Sequence, residues 1–152
     1  MSSTYHSDVV GTMLSSAKEV LRAAGLEAQD LLEVEVPGAF ELPVVVQRLA
    51  RRDDVGAVLA FGLVLRGETD HDRYIATAVS HALMRIGLET DKPVLLGLLT
   101  CPSLEHARAR ASRAEDGGLD KGREVALAAI EVLHSLRAAD AAGARARDEE
   151  PA

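Results

Sequence analysis

Residues 55–71 read VGAVLAFGLVLRGETDH. From Val55 to Leu65 no charged or hydrogen-bonding side chain interrupts the run. A strand with one wet face alternates apolar and polar residues, so this stretch predicts a strand buried on both faces, as in a parallel sheet covered by helices on either side. At Arg66 the run stops, and an arginine, a glycine, a carboxylate, a threonine and a histidine follow by His71. Helical spacing then takes over through Ile75, Ala78, Ala82 and Ile86, with Thr69 placed as an N-cap. Strand, loop and helix in that order form the unit from which doubly wound α/β sheets are built.

The same alternation extends in both directions. Toward the C-terminus, PVLLGLL (93–99) predicts a strand, 103–113 a helix capped by Thr100 or Ser103, and 114–120 a turn-rich loop. A last helix over 121–137 has Val125, Ala128, Ala129, Val132, Leu133 and Leu136 on its apolar face. From Ala138 the tail AADAAGARARDEEPA is low in complexity and is expected to fray, which leaves 1–137 as the compact unit. Toward the N-terminus, 8–24 predicts a helix stopped at Gly25 and LEVEV (32–36) a short strand. Pro37-Gly38 breaks that strand, and a helix follows over 41–52 with Pro43 in its first turn. Only three strands are visible, which makes a thin sheet.

Composition narrows the function. The chain has 152 residues, enough for one domain, and 47 % of them are apolar. A net charge of -7 argues against nucleic acid as the main partner, which usually selects a basic face. One cysteine, Cys101, rules out a disulfide framework within the chain. No run approaches the length of a membrane span, and MSSTYHSD lacks a signal-like apolar stretch, so a cytoplasmic location is the expectation.

Ligands of open α/β sheets sit at the carboxyl ends of strands, and three such ends here carry unusual residues. After 32–36 come Pro37-Gly38-Ala39-Phe40-Glu41, where Gly38 and Ala39 allow close backbone approach and Glu41 can accept from hydroxyls. The plainer alternative is that the helix dipole alone favours Glu41 there. After 55–65, the N–H groups of Glu68 and Thr69 at a helix start form an anion site, with His71 beside them as a proton carrier. An ordinary helix cap with a surface histidine is the alternative. After 93–99, His106 and Arg110 share a face of the next helix, although arginines on such a helix are usually just solvated. His81 and His134 are mid-helix and read as structural, Cys101 as a buried thiol, and no metal-ligand spacing is present.

Taken together, VPGAFELP (36–43), FGLVLRGETDH (61–71) followed by Tyr74, GLLT with LEHARARA (97–111), and Lys121-Gly122 ahead of AAIE resemble the 6,7-dimethyl-8-ribityllumazine synthases. The resemblance spans about Ser7 to Leu136. It implies a three-layer α-β-α fold with a parallel flavodoxin-like sheet. The implied reaction condenses 5-amino-6-(D-ribitylamino)uracil with 3,4-dihydroxy-2-butanone 4-phosphate, the penultimate step of riboflavin biosynthesis, without cofactor or metal. His71 then resembles the proton-transfer residue. Glu68, Thr69 and Arg110 would hold the phosphate. Ala39, Phe40 and Glu41 would line the ribityl pocket, Leu63, Val64 and Leu65 would meet the uracil edge, and Tyr5 would stack on its ring. Leu96 and Lys121 would enter from a neighbouring subunit together with Arg110. The resemblance thus implies a homo-oligomer of at least five subunits, with riboflavin synthase as a further partner.

Three departures stand out. Family members carry a central strand ahead of the aromatic residue, whereas only Met1-Ser2-Ser3-Thr4 precede Tyr5, so the sheet is expected to lack that strand, through a start that lies upstream. His6 stands where an Asn is usual, and Leu96 where a ring is common. These departures motivate one rival, a catalytically silent oligomeric shell or scaffold of the same descent. A generic sugar-phosphate binder is the weaker third.

Overall fold

The computed structural model describes residues 1–148, with side chains to 144. Its strands are β1 (Ser2–Ser3), β2 (Glu35–Val36), β3 (Val58–Leu65) and β4 (Val94–Cys101). The helices are α1 (Ser7–Ala23), α2 (Leu42–Ala50), α3 (His71–Thr90), α4 (Leu104–Ala111) and α5 (Lys121–Asp148), with short 3₁₀ turns at Ala28–Asp30, Ala39–Glu41 and Ala114–Asp116. The strands form one parallel sheet in the order β2-β1-β3-β4, the flavodoxin-like order.

The unbroken apolar run is explained by its two faces. Val58, Ala60 and Val64 pack with Leu42, Val46, Val79 and Leu83 of α2 and α3. Phe61 and Leu63 pack with Val9, Met13, Leu99 and Val125 on the side of α1, α4 and α5. Both faces are core, so neither admits a polar residue. Gly62 sits in tight space, since a Cβ there would lie 3.0 Å from a Leu98 methyl and 3.1 Å from a Leu42 methyl.

The expectation of a vacant central position is corrected. Ser2–Ser3 occupy it, pairing with Glu35–Val36 on one side and Phe61 on the other. Backbone bonds extend the pairing: Ser2 N–H donates to Val34 O, Thr4 N–H to Val36 O, Tyr5 N–H to Pro37 O and Phe61 N–H to Met1 O. An apolar slot of about 140 Å³ is lined by Met1, Leu31–Glu33 and Val55–Leu59.

Several boundaries move: β3 starts at Val58 rather than 55, β4 runs on to Cys101, and α4 spans Leu104–Ala111 rather than 103–113. The strand expected over 32–36 pairs only at Glu35–Val36. The tail expected to fray from 138 continues α5 to Asp148, and residues 149–152 lie outside the described residues. From His134 to Ala144 that helix is exposed, so alanine's helix propensity rather than packing extends it. On the buried side of α5, Ala126 and Gly122 take the place expected of Ala128 and Leu136, both of which are exposed.

Candidate active site

Parallel pairing of β2, β1 and β3 brings their carboxyl ends side by side. A cleft of about 740 Å³ opens there, lined by Tyr5, Ala39, Phe40, Glu41, Leu63, Val64, Leu65, Thr69 and His71. The family resemblance implies all nine as site residues, and they come from three chain segments that only the sheet makes neighbours.

Local chemistry places each group. Tyr5 and Phe40 are 66 % and 62 % exposed, an unusual state for aromatic rings in a chain with so few. Tyr5 is fixed through its backbone bond to Pro37, and its ring lies over Gly38, where a Cβ would come within 3.1 Å of the ring and 2.9 Å of Glu41 Oε2. Gly38 N–H donates to Glu41 Oε2 at 3.0 Å, so the helix-start role of Glu41 is real. No other donor among the described residues reaches that carboxylate, which leaves it capacity for a ligand.

The loop after β3 differs from expectation in detail. Asp70, not Thr69, is the residue flanking α3, and neither makes a side-chain cap bond. The turn does not require the glycine at 67: its φ is not positive, and a Cβ there would meet nothing nearer than 3.9 Å. His71 opens α3, exposed and without a hydrogen-bond partner among the described residues. Glu68 is exposed on the loop and is not part of the cleft wall within one chain.

Leu96, Arg110 and Lys121 also stand outside this cleft within one chain. Leu96 is 43 % exposed on the edge strand β4. Arg110 lies on α4, whose cap is Ser103 rather than Thr100. Ser103 Oγ also bonds His106 Nδ1 at 2.8 Å, which gives His106 a local structural role. Arg108 pairs with Asp8 at 3.0 Å and Arg113 with Glu19. Arg110 alone of the three has no carboxylate partner among the described residues. Its charge is felt at the buried Cys101 thiol, which burial pushes up in pKa and Arg110 pulls partly back. Lys121 starts α5 and donates to Glu124 at 2.6 Å.

Comparison with known proteins decides the family. The family model of 6,7-dimethyl-8-ribityllumazine synthase matches residues 1–137. The chain belongs to the 6,7-dimethyl-8-ribityllumazine synthase family. A protein bearing that name in Thermus thermophilus is 40 % identical over 134 residues, covering 88 % of this chain and 83 % of its own. In Stenotrophomonas maltophilia K279a the figure is 36 % over 136 residues (90 % and 86 %), and in Aquifex aeolicus 36 % over 137 residues (90 % and 87 %). As a lumazine synthase, the chain is an enzyme, a transferase of riboflavin biosynthesis. Among the described residues no helix is long and apolar enough to cross a membrane.

The cleft of this lumazine synthase also has lining residues that sequence reasoning does not assign to it: His6, Asp72, Ile75 and Ala78, with Tyr74 noted only as part of the motif. Asp72 is 8 % exposed. Its signal is available in the sequence, because Asp72, Ile75, Val79, Leu83 and Ile86 share the core-facing side of α3 and a carboxylate on that side is out of pattern.

Proposed function

We propose that this chain condenses 5-amino-6-(D-ribitylamino)uracil with 3,4-dihydroxy-2-butanone 4-phosphate to 6,7-dimethyl-8-ribityllumazine. The observation that carries this is the single cleft uniting Tyr5, Glu41, the β3 end, Thr69 and His71. The substrate's own amine attacks the ketone to give an imine; phosphate leaves, the ring closes and water is lost. Such a reaction asks a protein to align two reactants, receive an anion and move protons. Tyr5 stacks on the pyrimidine, Leu63–Leu65 offer backbone groups to its edge, and Glu41 accepts from ribityl hydroxyls beside Ala39 and Phe40. The N–H groups of Glu68 and Thr69 receive the phosphate, and His71 relays protons next to it.

Arg110, Lys121 and Leu96 complete the site from an adjacent copy in a homo-oligomer of at least five subunits. Their separation from the cleft within one chain supports this, as do apolar residues left in water: Val44, Tyr74, Met84, Leu88 and Leu119 are each more than 60 % exposed. The setting is the cytoplasm, with riboflavin synthase as the consumer of the product. The test incubates the purified chain with both substrates and follows lumazine fluorescence and phosphate release. Equal amounts of both products are expected, and an assembled protein that forms neither would be the silent scaffold instead.

A further inference from the structure

Asp72 is the one cleft residue whose chemistry contradicts its surroundings. Nine-tenths of it is buried, it lies on the core-facing side of α3, and Ile75, Ala78 and Ala39 are among its companions on the cleft wall. No side-chain hydrogen bond holds it among the described residues, and its oxygens are not sealed off, so they remain open to a donor from the cleft. The α3 N-terminus offsets part of the cost of its burial but leaves the oxygens without donors. The other titratable groups on the cleft are Glu41, His71, His6, Tyr5 and Tyr74, and none of them bonds to it.

We infer that Asp72 is a specificity-determining contact: its carboxylate accepts from the N–H or hydroxyl donors of the ribitylaminouracil. The inference rests on the reaction proposed above and adds to it a residue and the half of the substrate pair that residue recognises. A carboxylate can only accept, and the ribitylaminouracil, with its amino group and ribityl hydroxyls, is the donor-rich member of the pair, whereas the phosphate of the other is taken by the main-chain N–H groups of Glu68 and Thr69; the contact therefore belongs to the amine substrate. A group kept unpaired for a ligand also costs the empty protein stability.

The experiment compares wild type with Asp72→Leu and the isosteric Asp72→Asn, measuring KM for each substrate, calorimetric binding of ribitylaminouracil and the ligand-free Tm. Asp72→Leu is expected to raise KM for ribitylaminouracil about tenfold. KM for the butanone phosphate stays within about twofold, and Tm is equal or higher; Asp72→Asn shows a smaller loss in the same direction. An active wild type whose two KM values and ribitylaminouracil binding are unchanged by Asp72→Leu overturns the inference. So does a lowered Tm with both KM values rising together, which marks a structural carboxylate. A wild type that binds ribitylaminouracil in a manner weakened by Asp72→Leu, yet forms no lumazine, sinks the proposed reaction and leaves this contact standing.

Discussion

His71 is exposed and makes no hydrogen bond among the described residues, so its removal disturbs little of the fold. His71→Ala is therefore expected to lower kcat for lumazine formation by roughly 10²-fold while leaving Tm and assembly unaltered. Stopped-flow fluorescence and sedimentation check the two halves, and an unchanged rate removes His71 from proton transfer. His6 presents the opposite case. It adopts φ 58°, ψ 46°, the left-handed region, and its side chain caps nothing. Histidine pays for that conformation, and Asn tolerates it better. His6→Asn should raise stability by about 0.5–1 kcal/mol in urea denaturation; a loss would show that the ring has a contact worth more than the strain.

At the scale of elements, α1 meets the C-terminal half through the apolar cluster of Val9, Val10, Met13 and Val20 with Leu99 and Val125, and small and polar contacts set how closely it approaches. A Cβ on Gly122 would stand 2.1 Å from the Met13 carbonyl oxygen, so α5 and α1 touch at the backbone. Gly122→Ala should cost about 3 kcal/mol or more, read from urea melts, because the obstacle is main chain and cannot rotate away. Nearby, Ser16 Oγ donates to the buried Asp120 Oδ1 at 2.6 Å, and the same oxygen takes the Arg123 N–H at the start of α5. On the surface, Arg113 grips Glu19 with both terminal nitrogens and Arg108 grips Asp8. The guanidinium hydrogen bonds pull both carboxylates below their ordinary pKa. A carboxylate lowered on folding adds stability above its ordinary range and loses it as pH falls through the folded value. Stability should thus decline with acid from the ordinary carboxylate range downward. Replacing Arg108 and Arg113 by Ala should flatten that decline in low salt, since exposed pairs are modest and screened. A slope that is unaltered would assign the acid sensitivity elsewhere.

For the molecule as a whole, the proposed shared site rests on which residues one chain holds apart. The cleft collects the residues of the β1, β2 and β3 ends, yet Arg110 and Lys121 sit beyond it at the α4–α5 corner. If neighbouring copies share a site, His71→Ala and Arg110→Ala damage opposite halves of it. Mixing the two inactive variants under conditions that reassemble subunits should regenerate intact sites and recover a measurable fraction of wild-type activity. Recovery absent from mixed assemblies confirmed by native mass spectrometry would mean that each chain carries its own complete site.

Much of this was written locally. The two-faced apolar run of β3, the helix after RGETDH and the chemistry at the strand ends are legible because hydrophobic period and turn residues act over a few neighbours in the chain. The family pattern followed from the same stretches. Other features depend on distant partners. Ser2–Ser3 count as a strand only because Val34–Pro37 and Phe61 supply backbone partners on both sides. Residues 138–148 are helical through propensity that the low complexity of the tail masked. Asp72 reads as a first-turn acid until the packing of α3 buries most of it at the cleft wall. The amino-acid sequence by itself determined the alternating elements, the two-sided burial of the central run and the residue types at the strand ends. Only the tertiary structure decided strand order, the meeting of Tyr5, Glu41 and His71 around one cleft and the burial of Asp72, because those depend on contacts between segments far apart in the chain.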